Sequence, residues 1–135
     1  MKKNVYYLFS LLAMCALLFS ACSSNSPSEA AKKYANYLKN GDFEKWVDGV
    51  AFGEDATDAN VKASKAMLLA MMEAGKEKLN EKGGIKNIET VSETISEDGK
   101  TAKVTLKMTY GDGTSEESSM DMIQEKGTWK MYMKK

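Results

Sequence analysis

The sequence contains no histidine and no arginine, so all 19 of its basic residues are lysines. Without histidine there is no Ser-His or Cys-His nucleophile pair and no imidazole ligand for a metal ion. Without arginine there is no planar guanidinium to grip a phosphate or carboxylate through two hydrogen bonds. These absences exclude the histidine-dependent and arginine-dependent sites, and they leave acid–base chemistry to Asp, Glu, Lys and Tyr.

Cysteine is scarce as well, and neither sign of charge is in excess. The 135 residues include only Cys15 and Cys22, and 19 acidic residues balance the 19 lysines. The chain after residue 22 therefore has no thiol for a disulfide, and the balanced charge creates no strong field toward nucleic acid. We expect a single domain that uses no cofactor, holds no resident metal and has no nucleic-acid partner.

The first 22 residues have the pattern of an export signal. Lys2 and Lys3 form a positive start, and residues 5–21 are uncharged and mostly apolar. Such a start followed by an apolar stretch and small residues is typical of a secretory signal peptide. The end of the stretch, Leu-Phe-Ser-Ala-Cys, resembles the lipobox of bacterial lipoproteins. That resemblance implies cleavage before Cys22 and acylation of Cys22, and it makes the membrane a partner through this lipid.

The predicted organisation is a signal peptide over 1–21, a flexible tether over 22–27 and one domain over 28–135. The lipoprotein resemblance implies a location in the cell envelope. Ser23 is not the acidic residue that retains such proteins at the inner membrane, which favours the outer membrane, facing the periplasm. An uncleaved membrane helix remains the alternative, because 17 residues at about 1.5 Å each approach the thickness of a hydrocarbon core.

The first half of the domain has helical periodicity. Ser26 can cap a helix that ends at Asn40-Gly41, and a second, short helix is predicted over about 42–50. A third helix is predicted over about 57–82 and ended by Gly83-Gly84. The apolar stripe of this third helix is predicted to consist of Val61, Ser64, Leu68, Met71, Gly75 and Leu79.

The second half has a period of two. Alternating stretches over about 88–96, 101–110, 115–124 and 129–133 are separated by glycine-containing turns, including Asp98-Gly99. Four strands joined by three turns predict an antiparallel meander with one dry face. We therefore expect an α+β fold in which the N-terminal helices pack on a curved four-stranded antiparallel sheet.

Two short phrases carry a resemblance to a known superfamily. They are Asn-Gly-Asp-Phe at 40–43, between two helices, and Lys-Gly-Thr-Trp-Lys at 126–130, at the last strand. With the order of the elements, these resemble the cystatin-like or nuclear-transport-factor-2-like superfamily, and the whole chain looks like small bacterial lipoproteins whose domain has no assigned function. The resemblance implies a cone-shaped fold with room for a pocket, but no particular activity.

Aromatic residues are the candidates for lining such a pocket, since apolar cavities with a few polar groups are the usual binding sites. The alternative is that these side chains only fill the core. A pocket would suit a small apolar ligand, and an exposed apolar patch would suit a partner protein. The candidate pocket residues are Tyr34, Trp46, Phe52, Tyr110 and Trp129, with Phe43 beside them.

Methionine and aspartate each suggest an alternative function. Residues 120–122 and 131–133 are both Met-x-Met, and thioethers select Cu(I), although methionine is also a flexible filler of cores. Asp42, Asp48, Asp55 and Asp58 lie near the helical turns, where one could serve an isomerase-type or dehydratase-type pocket enzyme. Capping and turn formation explain the same aspartates. We therefore expect a binding domain without enzymatic activity.

Overall fold

The structure is a computed structural model that describes residues 26–133, and the predicted signal peptide and Cys22 lie outside the described residues. The three helices precede the four strands of the meander, as the periodicities predicted, but one two-residue strand lies between the second and third helices. No helix in residues 26–133 is long and apolar enough to cross a membrane. The elements are α1 (Pro27–Asn40), α2 (Phe43–Asp48), β1 (Val50–Ala51), α3 (Asp58–Glu81), β2 (Ile85–Ile95), β3 (Thr101–Tyr110), β4 (Ser115–Glu125) and β5 (Thr128–Tyr132).

The sheet formed by residues 26–133 has five strands in the order β1-β5-β4-β3-β2, so the prediction of four strands, all antiparallel, was wrong. The meander from β2 to β5 is antiparallel as predicted, but β1 lies parallel to β5 and pairs Val50 with Met131. The Gly49 carbonyl accepts a hydrogen bond from the Met131 amide at 2.9 Å. A two-residue strand is too short to show a period, so only the fold reveals it.

Helix α1 has the ends that its sequence predicted. The Ser26 hydroxyl accepts a hydrogen bond from the Glu29 amide at 3.1 Å, and Gly41 ends the helix with φ of 77°. The Glu93 carboxylate of β2 accepts from the amide and the hydroxyl of Ser28, placing negative charge at the positive end of the helix. These contacts set α1 across the inner face of the sheet.

Helix α3 is continuous through Gly75 and packs mainly against α2. Its predicted stripe is wrong at Met71, whose side chain is 64% exposed, whereas Met72 is half-buried. Met72 lines the same cavity as Phe43 of α2, because the position of α2 decides which side of the long helix turns inward. No residue of α3 is fully buried.

The C-terminal end of α3 is fixed to the turn between β3 and β4. The Gly111 amide donates to the Gly84 carbonyl at 2.9 Å, and the Asp112 amide donates to the Lys82 carbonyl at 2.8 Å. Gly83 lies so close to the Gly111 backbone that a side chain on either residue would overlap the other. The long helix is therefore tied at this end, while its sides contact the sheet only lightly.

The core lies between α1 and the inner faces of β3, β4 and β5. Alternate residues of β3 point into it, and Val104 and Leu106 have almost no exposed surface. This alternation is the one that the sequence predicted for the dry face. The buried cluster consists of Ala31, Tyr34, Ala35, Val50, Ala102, Val104, Leu106, Met122, Trp129 and Met131.

Candidate functional site

An apolar cleft of about 340 Å³ opens between the first two helices and the inner face of the sheet. Helices α1 and α2 contribute Ala35, Leu38 and Trp46 to its wall. Strand β3 contributes Leu106 and Met108. The rest of the wall comes from β4 and the chain from β5 onward, namely Ser118, Ser119, Met120, Asp121, Met131, Tyr132 and Met133.

The cleft exists because the inner face of β4 changes in size along the strand. Met122 and Met120 fill the space beneath α1, but the next inner residue, Ser118, is small and pairs with Leu106 of β3. The hydroxyl of neighbouring Ser119 lies 2.8 Å from that of Thr105, on the opposite face. Ser118 therefore leaves space in the inner layer where a larger side chain would fill it.

A second cavity of about 210 Å³ continues from the cleft beneath α3. It shares Leu38 and Met108 with the cleft, and Met72 and Leu79 of the long helix form its other side. Tyr110 lies at its end, with the ammonium of Lys82 4.8 Å from the ring centroid. The two cavities adjoin at Leu38 and Met108, and the pair of them is called the groove.

Apolar side chains outnumber polar ones in the lining of this groove, and the polar ones are Lys76, Tyr110, Ser118, Ser119, Asp121 and Tyr132. The indole Nε1 of Trp46 is buried and has no hydrogen-bond partner among residues 26–133. The Tyr110 hydroxyl donates to the Glu116 carboxylate at 3.0 Å, and burial, together with that bond, raises the pKa of Tyr110 above 10.0. Such a groove offers mainly shape and apolar contact, with a few polar side chains that could orient a ligand.

The five predicted pocket residues do not all meet in one place. Trp46 lines the cleft and Tyr110 lines the second cavity, as does Phe43. Tyr34 and Trp129 are buried in the core and joined by a 2.7 Å hydrogen bond from the Tyr34 hydroxyl to the Trp129 carbonyl. Phe52 is half-buried at the margin of the core. Their role in binding a ligand stays a prediction.

Tyr34 owes its buried position to Gly49, since any side chain at residue 49 would overlap the tyrosine ring. Burial raises the pKa of Tyr34 above 10.0, and the neighbouring Tyr37 adds to that effect. Sequence reasoning did not identify Leu38, Leu106 or Ser118 as cleft residues. The alternation of β3 and β4 carried the signal for two of them, since it places residues 106 and 118 on the inner face.

The candidate catalytic aspartates lie at the surface. Asp48 forms an exposed ion pair with Lys65 at 3.5 Å, and Asp42, Asp55 and Asp58 are exposed at the ends of α2 and α3. None of the four lines either cavity of the groove. Among residues 26–133 there is also no group of three or more His, Cys, Asp or Glu side chains that could hold a metal ion.

Three solved structures are similar to this chain, and the first of them supports the fold. A protein from Campylobacter jejuni, described as a candidate NTF2-like transpeptidase, superposes with a TM-score of 0.71 at 18% identity, over 82% of this chain and 100% of that one. Aln2 from a Streptomyces species gives 0.46 at 10% identity, over 76% and 80% of the two chains. The intermembrane space region of the chloroplast protein ARC6 gives 0.41 at 12% identity, over 78% and 92%.

No curated protein matches the sequence. The family described as "Domain of unknown function (DUF4878)" matches residues 20–132, which is most of the chain. With the helices, the meander and the Campylobacter jejuni structure, this match shows that the chain belongs to the DUF4878 family and that its domain of unknown function has an NTF2-like fold.

Proposed function

We propose that this chain is a lipid-anchored protein of the bacterial cell envelope whose groove binds a small apolar ligand without catalysing a reaction. Acyl chains on Cys22 hold it at the outer membrane, facing the periplasm. The observation that carries the binding proposal is the cleft itself, whose wall is mostly leucine, methionine and tryptophan. Flexible methionines adapt to ligands of irregular shape, which suits a site that selects for apolarity more than for hydrogen bonding.

The absence of catalysis rests on the placement of the acidic side chains. A general base needs a carboxylate that is withdrawn from water and close to the substrate. The four candidate aspartates contact solvent and lie away from the groove. Asp121 also lines the cleft, but on β4 it lies between the inner residues Met120 and Met122, on the alternation that pairs with Lys103. We therefore propose binding, and not catalysis, for the groove.

The binding test measures the fluorescence of the uncharged probe N-phenyl-1-naphthylamine with the full chain in detergent. The fluorescence of the probe in protein-free micelles is subtracted. Ser118→Phe should fill the cleft and weaken probe binding by about tenfold or more. Ser115→Phe is the matched control, because it adds the same ring to the opposite face of the same strand, at a residue that lines neither cavity. Equal binding by both variants would contradict the proposal.

A partner protein is the second candidate ligand, and one observation favours it. Met67 and Met71 are 62% and 64% exposed, four residues apart on the same side of α3. Exposed apolar side chains that lie together often mark a protein-binding surface. A photo-crosslinking residue placed at 71 should then give one discrete adduct in cells that is missing when the residue is placed at Glu77 of the same helix.

A further inference from the structure

Two methionine pairs face each other on the inner side of the sheet. The register of β4 and β5 places Met122 directly opposite Met131. Continued by two residues, the same register brings Met133 beside Met120, and both of these side chains line the cleft together with Met131. Four thioethers from two neighbouring strands therefore share one face.

The spacing of the strands brings these side chains within reach of a common point. Directly opposite residues have Cβ atoms about 4.5–5.5 Å apart. Residues two apart along a strand are separated by about 6.4–6.8 Å. The Cβ atoms of the four methionines therefore lie at the corners of a rectangle. Each sulfur lies two bonds beyond Cβ on a side chain with three rotatable bonds, so the sulfurs can converge on one point.

The four methionine side chains at the corners of this rectangle become more exposed from Met122 toward Met133. Met122 is 0% exposed and Met131 5%, so this side of it is closed. Met120 is half-buried, and Met133 is 41% exposed at the mouth of the cleft. Core filling accounts for Met122, but burial does not account for Met133. An ion entering the cleft meets Met133 and Met120 first and Met131 behind them.

We propose that Met120, Met131 and Met133 form a binding site for Cu(I), with Met122 packed beside them. Thioethers are soft, neutral ligands that select Cu(I) over hard divalent ions. The sequence has no histidine, and residues 26–133 contain no cluster of three His, Cys, Asp or Glu side chains, so the harder ligands that suit Zn²⁺ or Cu²⁺ are not grouped in this part of the chain. Because thioethers carry no proton to release, the affinity should not change with pH between 5 and 8.

This inference goes beyond binding of an apolar ligand, although both use the same cleft. Ser118 marks the space for the apolar ligand, and the methionines mark the site for the ion. Loss of naphthylamine binding in Ser118→Phe says nothing about the sulfurs, and loss of ion binding in the methionine variants says nothing about Ser118.

The test uses the full chain in detergent with Cys15→Ser and Cys22→Ser, because thiolates would compete for a soft ion. Cu(I) is titrated without oxygen against the chelator bicinchoninate, and the redox-inert Ag(I) is followed through ¹³C-labelled methionine methyl groups by NMR. Met120→Leu combined with Met133→Leu should weaken binding by at least about tenfold, since even outer-sphere changes cost metal sites about 10–100-fold in affinity.

The control is Met67→Leu combined with Met71→Leu, which removes two exposed sulfurs from α3 and should leave the affinity unchanged. Leucine and methionine have similar volumes, so both double variants should fold, and their melting curves check this. Methyl shifts confined to Met120, Met131 and Met133, with or without Met122, support the site. The proposal is overturned if Ag(I) shifts no methyl group, if it shifts Met67 and Met71 equally, or if the two double variants bind Cu(I) alike.

Discussion

At the scale of single residues, two tyrosine hydroxyls form hydrogen bonds that differ in burial, one from α1 to β5 and one from β3 to β4. The Tyr34 hydroxyl donates to the Trp129 carbonyl inside the core, where no water replaces a lost partner. The Tyr110 hydroxyl donates to Glu116 in a partly buried position. The depth of burial should therefore decide how much each hydroxyl stabilises the fold.

Removing the Tyr34 hydroxyl should lower the free energy of unfolding. We expect Tyr34→Phe to cost about 1–2 kcal/mol, because the buried Trp129 carbonyl loses its donor while the aromatic packing remains. Tyr110→Phe should cost less, since water can reach the Glu116 carboxylate. Urea unfolding of the two variants measures the difference, and an equal or larger loss for Tyr110→Phe would show that burial does not set the ranking.

The glycine inside α3 gives a second prediction at the residue scale, which is a gain in the stability of the fold. Gly75 lies in the helix, and a Cβ added there would meet no atom within 4 Å. Gly75→Ala should raise the free energy of unfolding by about 0.5–1 kcal/mol, because alanine loses less backbone entropy in a helix. Thermal unfolding followed by circular dichroism measures this, and a lowered melting temperature would mean that the groove needs the open space at residue 75.

At the scale of elements, two turns of the meander are held by aspartates. Asp98 accepts hydrogen bonds from the Ser96 hydroxyl at 2.6 Å and the Lys100 amide at 3.0 Å. Asp112 accepts from the hydroxyl and the amide of Thr114 at 2.6 and 2.9 Å. The Ser96 bond foremost holds the pKa of Asp98 below 3.8, and the Thr114 bonds do the same for the pKa of Asp112.

The lowered pKa values of Asp98 and Asp112 predict how the stability of the fold depends on pH. Each folded carboxylate stays ionised at pH values where the unfolded one takes up a proton, so its contribution is present above pH 3.8 and is lost as pH falls through the lower, folded pKa. Asp98→Asn with Asp112→Asn should flatten the fall of urea stability between about pH 5 and 2. A double variant with the slope of the original chain would contradict this account.

At the scale of the whole molecule, the described domain begins at Ser26, four residues after the predicted lipid. A chain spans at most about 3.6 Å per residue, so acyl chains on Cys22 would keep Ser26, the residue before α1, within about 15 Å of the membrane surface. The exposed methionines of α3 belong to a helix whose C-terminal end is bound to the β3–β4 turn, away from the start of α1. Anchoring therefore restricts which faces of the domain a partner could reach.

Lipid attachment can be tested by a single atom. Cys22→Ser replaces the acceptor sulfur by oxygen, and the variant should incorporate no palmitate. It should also leave the membrane fraction, since two or more acyl chains are needed for a stable anchor. Metabolic labelling with palmitate and mass analysis of the N-terminal peptide measure this. A mature chain with an unmodified sulfur at residue 22, or one that still begins at Met1, would contradict the anchoring proposal.

How far the sequence predicts the structure depends on the range of the interactions. The caps at Ser26 and Gly41, the Asp98-Gly99 turn and the period of the meander depend on neighbours a few residues away, and all of them are confirmed. The parallel pairing of β1 with β5 joins residues about 80 positions apart, and two residues carry no period from which to predict it. The same limit explains why Met71 was wrongly predicted to face inward, because the orientation of α3 depends on where α2 lies.

The sequence by itself therefore determined the α+β class, the helix ends, the dry face of the meander and the absence of histidine and arginine chemistry, because each depends on composition or on local spacing. Only the tertiary structure decided that Tyr34 and Trp129 fill the core, that Ser118 leaves a cleft open and that the two Met-x-Met stretches lie side by side. Those features arise when distant segments share one packed layer, and whether a side chain fills space or borders it depends on what the opposite segment places there.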